Sequence, residues 1–305
     1  MSIIGTVLSI FLLLFAGYAI KKVRIMKPDD AEILNTVVLY LTLPAFIFQA
    51  IYGYRGQLSL EIAKVPVFGF LAMLGVMLLA WLIGRALRLD KCMIGGLIVV
   101  SAFGNTGFLG FPVVQAAFRD KGALVTAVMY DELAMAFPLY TLGLFVTALF
   151  SGEKLSREFM LRVFKLPSMW AIPLALILRP HPLPHPLLDA IRYLSDGTIP
   201  VVMISLGLSL SASRIKGYAV PVLVACLLKM AVLPFLTHHT MALVGVRDTM
   251  HQVTVLESAM PPAMMSAVIA GRFGRCGGFA TSAIFVATLL SLLTIPLTLV
   301  ILGVG

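Results

Sequence analysis

Ten apolar runs follow one another along this chain, each about long enough to cross the hydrocarbon of a bilayer, with short charged connections between them. They fall at about 3–20, 31–51, 65–84, 93–118, 123–150, 160–178, 187–210, 219–244, 250–270 and 279–303. A backbone in lipid has no water to bond, so a run of this kind must satisfy its own N–H and C=O groups and folds as a helix. The expected class is an all-α membrane protein with ten transmembrane helices. With 60% hydrophobic and 12% charged residues, no stretch is left over for a separate soluble domain. The first run lacks the basic leader and small-residue cleavage site of a secretory signal, so it is expected to be a retained helix.

A net charge of +9 would point to nucleic acid in a soluble protein. Here the basic residues cluster between apolar runs, which excludes that reading and orients the chain instead. With basic residues near the start of a run counted in the connection before it, fifteen of the 23 Lys and Arg belong to the odd-numbered connections and seven to the even-numbered ones, which leaves Lys229 within a run. The bias places the odd connections in the cytoplasm and both termini outside, in an inner or cell membrane. Ten spans divide into two sets of five, and because five is odd the second set enters from the opposite face, as in an inverted repeat. The expected units are a first repeat over 1–150, a basic cytoplasmic linker over 151–165 and an inverted second repeat over 166–305. "LTLPAF" in the second run is echoed by "GTIPVV" in the seventh.

The fourth run contains "SAFGNTGFLGFPVV" (101–114), and the ninth contains "ESAMPPAMMSA" (257–267). Proline inside a helix removes a donor and clashes with the preceding turn, and in lipid the freed groups need other partners. Such breaks at corresponding places in two halves point to a substrate site at mid-depth. Gly104, Gly107, Gly110 and Pro112 would let the fourth run unwind, with Asn105 and Thr106 offering hydrogen bonds; Pro261 and Pro262 would break the ninth, beside Glu257 and Ser258. Unwound amides and a half-helix N-terminus suit an anion. The competing reading is that the glycines only allow close helix packing and Pro112 is a tolerated kink.

The ionisable residues inside the runs that stand as functional candidates are Asp131, Glu132, Lys229 and Glu257. Each is costly near the bilayer centre. Asp131 and Glu132 point about 100° apart on one helix and cannot share a cavity, so one of them is expected at the interface. Asp131 or Glu257 could bind a coupling proton or cation, with Lys229 as counter-ion; a purely structural pairing or capping role stays open. His181 and His185 lie in "RPHPLPHPLLDA", where no helix is expected and metal binding is not expected either. His238, His239 and His251 are placed near an interface. Cys92, Cys226 and Cys276 are scattered and odd in number, which suggests small apolar residues rather than a disulfide framework. No catalytic or cofactor motif occurs in a supporting context, so neither an enzyme nor a cofactor is expected.

"LNTVVLYLTLPAFIF" (34–48), "FGNTGFLGFPVV" (103–114), "YDELAMAFPLYTLG" (130–143), "IPVVMISLGLSL" (199–210), "ESAMPPAMMSAVIAGRFG" (257–274) and "ATLLSLLTIPLTLVIL" (287–302) together resemble the bacterial branch of the auxin efflux carrier family. That family sits within the bile acid, arsenite and riboflavin transporter superfamily. The resemblance spans nearly the whole chain. It implies helices 4 and 9 crossing at their breaks, a scaffold of helices 1, 2, 6 and 7 that often dimerises, and a mobile transport domain of helices 3–5 and 8–10. It also implies transport of organic anions, with carboxylates such as malonate, malate or lactate ascribed to bacterial relatives. The long hydrophilic loop of many plant members is missing, which argues against auxin itself, and the "YDEL" pattern leaves Glu132 without a family role.

These readings combine into a secondary transporter of a small organic anion, expected to be a mono- or dicarboxylate. Its candidate substrate residues are Asn105, Thr106, Gly107, Pro112, Glu257, Ser258, Pro261 and Pro262. The rivals are a sodium-coupled symporter of bile acid type and a membrane sensor that binds ligand without moving it.

Overall fold

The computed structural model describes residues 3–152, 161–210, 217–272 and 277–304, and among these residues the chain is helical with no strand. The rods are α1 (Ile3–Lys22), α2 (Asp30–Tyr52), α3 (Leu60–Ala86), α4 (Lys91–Ala102), α5 (Thr106–Ala117), α6 (Lys121–Ser151), α7 (Pro167–Leu178), α8 (His185–Ser209), α9 (Ala219–Leu243), α10 (Asp248–Ser258), α11 (Met264–Arg272) and α12 (Gly277–Ile301). Five of them, α2, α3, α6, α9 and α12, are long and apolar enough to cross a membrane unaided, while α4, α5 and α7 are shorter apolar helices. Most of the expected linker lies outside the described residues, as do Arg214, Lys216, Arg275 and Cys276.

Proline shapes four of these rods in the same manner. π-helical turns at Val38–Thr42, Thr106–Gly110, Tyr130–Ala136 and Leu228–Val232 each end two residues before a proline, at Pro44, Pro112, Pro138 and Pro234. The wider turn accommodates the ring and lets the carbonyls that proline strands find later N–H groups. Rods containing these prolines therefore stay continuous. Pro112 thus lies within α5, past the unwound stretch rather than in it. Proline does not always forbid a start either: the run expected to stay non-helical does so only to Pro184, and His185 opens α8 with Pro186 in its first turn, where no donor is needed.

Apolar side chains collect in two separate cores. One is made of α3, α4, α9, α11, the second half of α6 and the first half of α12. The other joins α1, α2, α7 and α8 to α5, the start of α6, α10 and the end of α12. The junctions α4/α5 and α10/α11 are therefore where the chain steps from one core to the other. Within the second core α1 and α8 cross closely at Gly17 and Gly207, where a Cβ would strike the facing backbone. Small residues permit such contact where van der Waals packing, not water exclusion, drives association.

One expectation about the cysteines is corrected here. Cys92 is disulfide-bonded, while Cys226 is free and buried. Sequence spacing carries no information on which side chains approach in space, so the scattered cysteines hid this.

Candidate functional site at two paired helix breaks

Between α4 and α5 only Phe103, Gly104 and Asn105 leave the helix, and between α10 and α11 only residues 259–263 do. These two short stretches lie antiparallel against each other. The Asn105 amide donates to the Pro261 carbonyl at 2.7 Å and the Ala263 amide to the Phe103 carbonyl at 2.9 Å, with Gly104 opposite Pro262. Neither proline has an N–H to donate, so the pairing uses the amides on either side of them. Backbone freed by one break is thereby satisfied by the other, which is the condition for irregular chain at membrane depth. All of it is buried.

Three glycines of the "GNTGFLG" stretch each face a charged side chain from another rod. A Cβ on Gly104 would stand 3.0 Å from the Lys229 Nζ, and one on Gly107 would stand 3.1 Å from Asp131 Oδ2. A Cβ on Gly110 would overlap the Glu257 carboxylate. Unwinding is therefore needed only at Gly104; Gly107 and Gly110 remain helical and serve as clearances.

The charges match the helix ends they meet. Lys229 is fully buried and donates to the Ser258 carbonyl at 2.6 Å, at the negative C-terminal end of α10. Asp131 accepts from the Thr106 hydroxyl and lies against Gly107, at the positive N-terminal end of α5. The anion position expected at that N-terminus is thus held by the protein's own carboxylate. Lys229 forms no ion pair at contact distance among the described residues; its ammonium bonds the Ser258 carbonyl and acts on the Glu257 carboxyl through space.

Both members of the Asp131–Glu132 pair are buried within the protein, so neither lies on its surface. They are 7% and 1% exposed. The π-helical turn carrying both points Asp131 at α5 and Glu132 toward the Ser168 hydroxyl of α7. Two different burial sites, rather than one cavity and the surface, resolve the angular conflict.

What stays unengaged is informative. The side-chain amide of Asn105, only 6% exposed, makes no hydrogen bond with any described residue. Both carboxylate oxygens of Glu257 and the Ser266 hydroxyl in the first turn of α11 are buried without a hydrogen-bond partner among the described residues. The Tyr130 hydroxyl, close to Glu257, and the neighbouring Thr237 hydroxyl are buried as well, and neither reaches a well-formed hydrogen bond there. Such groups are expensive to leave bare. Tyr130, Thr237 and Ser266 were missed by sequence reasoning; a polar residue in an apolar run was their one visible signal, and many such residues bond only their own helix. Among the described residues no group of three His, Cys, Asp or Glu could hold a metal.

Paired breaks, buried charge at their ends and unpartnered polar groups between apolar rods define a multi-pass membrane protein with a polar site in its interior. The chain belongs to the membrane transport protein family, the auxin efflux carrier-like group, which matches it over residues 2–158 and 151–299. It is 34% identical over 298 residues to an uncharacterized transporter of Methanocaldococcus jannaschii, covering 95% of this chain and 96% of the relative. A second uncharacterized transporter, from Methanothermobacter thermautotrophicus, is 33% identical over 300 residues and 97% of both chains. A Rhizobium meliloti protein whose name proposes malonate transport is 26% identical over 313 residues, 96% of this chain and 93% of its own. The family and these relatives are membrane transporters and not enzymes, so a small-molecule substrate and a lipid bilayer are the partners.

Proposed function

We propose that the protein is a secondary transporter of a small organic anion, a mono- or dicarboxylate, that binds at the paired breaks. The observation that carries this reading is the side-chain amide of Asn105, on a residue 6% exposed and hydrogen-bonded to no described residue, at the point where two half-helices begin and Lys229 supplies a positive charge. Thr106 and Ser258 belong to the same site through their bonds to Asp131 and Lys229. The name of the Rhizobium relative makes malonate the first substrate to try.

The proposal includes ten passes in two inverted five-helix repeats, over 1–150 and 166–305, joined by the 151–165 linker, with both termini outside. Counting α4/α5 and α10/α11 as single broken passes supports that number. It also includes sliding of one part of the molecule past another. In favour of this, the core built from α3, α4, α6, α9, α11 and α12 contains no residue of α1, α2, α7 or α8, which would form the scaffold and a homodimer contact. Glu257, with two buried oxygens and no donor, is the residue that most needs a companion when ionised, and a proton or a sodium ion from the coupling gradient would supply it.

Uptake of labelled malonate, malate and lactate into proteoliposomes tests the reading, with sodium and proton gradients imposed separately. Asn105→Ala is expected to abolish uptake without changing the thermal unfolding midpoint of the purified protein. Undiminished uptake by this variant would remove the site from the breaks, and binding without flux by the wild type would favour a sensor.

A further inference from the structure

Two basic side chains at opposite ends of α2 make the same unusual contact. Lys21, in the last turn of α1, extends its ammonium to the carbonyls of Leu208 (2.9 Å) and Leu210 at the C-terminal end of α8. Arg179, just past α7, spreads its guanidinium over the carbonyls of Tyr54 (3.1 Å from Nε, 2.8 Å from Nη2) and Gly56, immediately beyond the C-terminal end of α2. Each cation also lies near an aromatic ring, Lys21 at 5.0 Å from that of Tyr18 and Arg179 at 5.8 Å from that of Tyr54. The last carbonyls of a helix lack intrahelical donors and form its negative end, so a cation there is doubly favoured.

The carbonyls chosen are what matters. Tyr54 and Gly56 begin the connection from α2 to α3, and Leu210 begins the connection from α8 to α9. Those are the two places where the chain leaves α1, α2, α7 and α8 and enters the core that contains none of them. The two clamps are separated by the length of α2, 23 residues and thus about 34 Å at 1.5 Å per residue, a span comparable to the hydrocarbon thickness of a bilayer. Each clamp reaches across from a neighbouring rod rather than from the rod it caps. A side chain serving only its own helix end would not tie two rods together at the root of a connection.

We propose that Lys21 and Arg179 are hinge anchors, which fix the scaffold ends of the two links so that movement of the other core begins beyond Gly56 at one clamp and beyond Leu210 at the other. This rests on the reading of α1, α2, α7 and α8 as the stationary part. The anchors position the moving part and touch no substrate.

Hydrogen exchange read by mass spectrometry tests the anchors without any substrate. In Arg179→Met, amides of residues 49–59 are expected to exchange at least about tenfold faster, the factor set by losing one charge-assisted hydrogen bond, with α4, α5, α10 and α11 unchanged. Lys21→Met is expected to do the same at the end of α8 alone. Arg179→Lys, which keeps the charge but not the fork, is expected to fall between wild type and Arg179→Met, and it serves in its place should the methionine variant fail to fold. Arg192→Met, at an exposed arginine, is the control. In proteoliposomes the anchor variants are expected to lower the maximal rate and leave the half-saturating concentration unchanged. Exchange at 49–59 that does not rise, or a rise spread over the whole chain, overturns the proposal. Local exchange changes in a protein that moves no anion would instead leave the anchors standing and count against the transport reading.

Discussion

The two breaks solve one problem with opposite charges. At the first, the start of α5 is served by a carboxylate, Asp131, reaching in from α6. At the second, the end of α10 is served by an ammonium, Lys229, reaching in from α9. Glycines make room at the first break, whereas the second holds two adjacent prolines that have no N–H to donate. The difference teaches that the first break was built around side chains arriving from elsewhere, and the second around backbone that cannot close a helix. Where they meet, the negative charge on one side and the positive on the other leave Asn105 as the neutral polar group between them.

Removing the ammonium should disturb this balance most. Lys229→Met strips the end of α10 of its buried cation and leaves Glu257 facing none, at a cost of about 3–5 kcal/mol by the usual penalty for half of a buried charge arrangement. The thermal unfolding midpoint in detergent should fall sharply, and the double variant Lys229→Met/Glu257→Gln should recover part of the loss. No recovery would show that the two do not sense each other. Gly110→Ala comes next, because its methyl overlaps the Glu257 carboxylate in a packed interior; about 1–3 kcal/mol of stability and most of the uptake should go. Asp131→Asn keeps an acceptor for Thr106 but removes the charge at the start of α5, so about 0.5–2 kcal/mol is expected by the scale of capping and dipole effects. Gly104→Ala should be mildest, under about 1 kcal/mol, since its methyl meets the movable end of a lysine side chain. A larger effect at Gly104 than at Gly110 would invert the assignment of which glycine has the movable neighbour and which the fixed one.

Much of the fold was legible beforehand because lipid enforces it. Nine of the apolar runs matched rods to within a few residues, the sixth started its rod seven residues later than expected, at Pro167, and both interrupted runs proved to be interrupted. The location of the unwound turn was less legible. "GNTGFLGFP" reads as one broken stretch, yet a π-helical turn over Thr106–Gly110 absorbs Pro112 and confines the break to three residues. Asp131 and Glu132 were visible as ionisable groups in an apolar run, but their partners, Thr106 and Ser168, lie 25 and 36 positions away in the numbering. The Cys92 disulfide was hidden for the same reason.

The amino-acid sequence alone determined the helices, their two interruptions and the presence of ionisable residues such as Asp131, Glu132, Lys229 and Glu257 among apolar ones, because transfer of backbone and charge into lipid is governed by local chemistry. Only the tertiary structure decided that the interruptions pair with each other, that each glycine of the first faces a particular charge, and that the site's free amide belongs to Asn105. Those outcomes depend on which surfaces of distant rods meet, and no local pattern carries the geometry of that meeting.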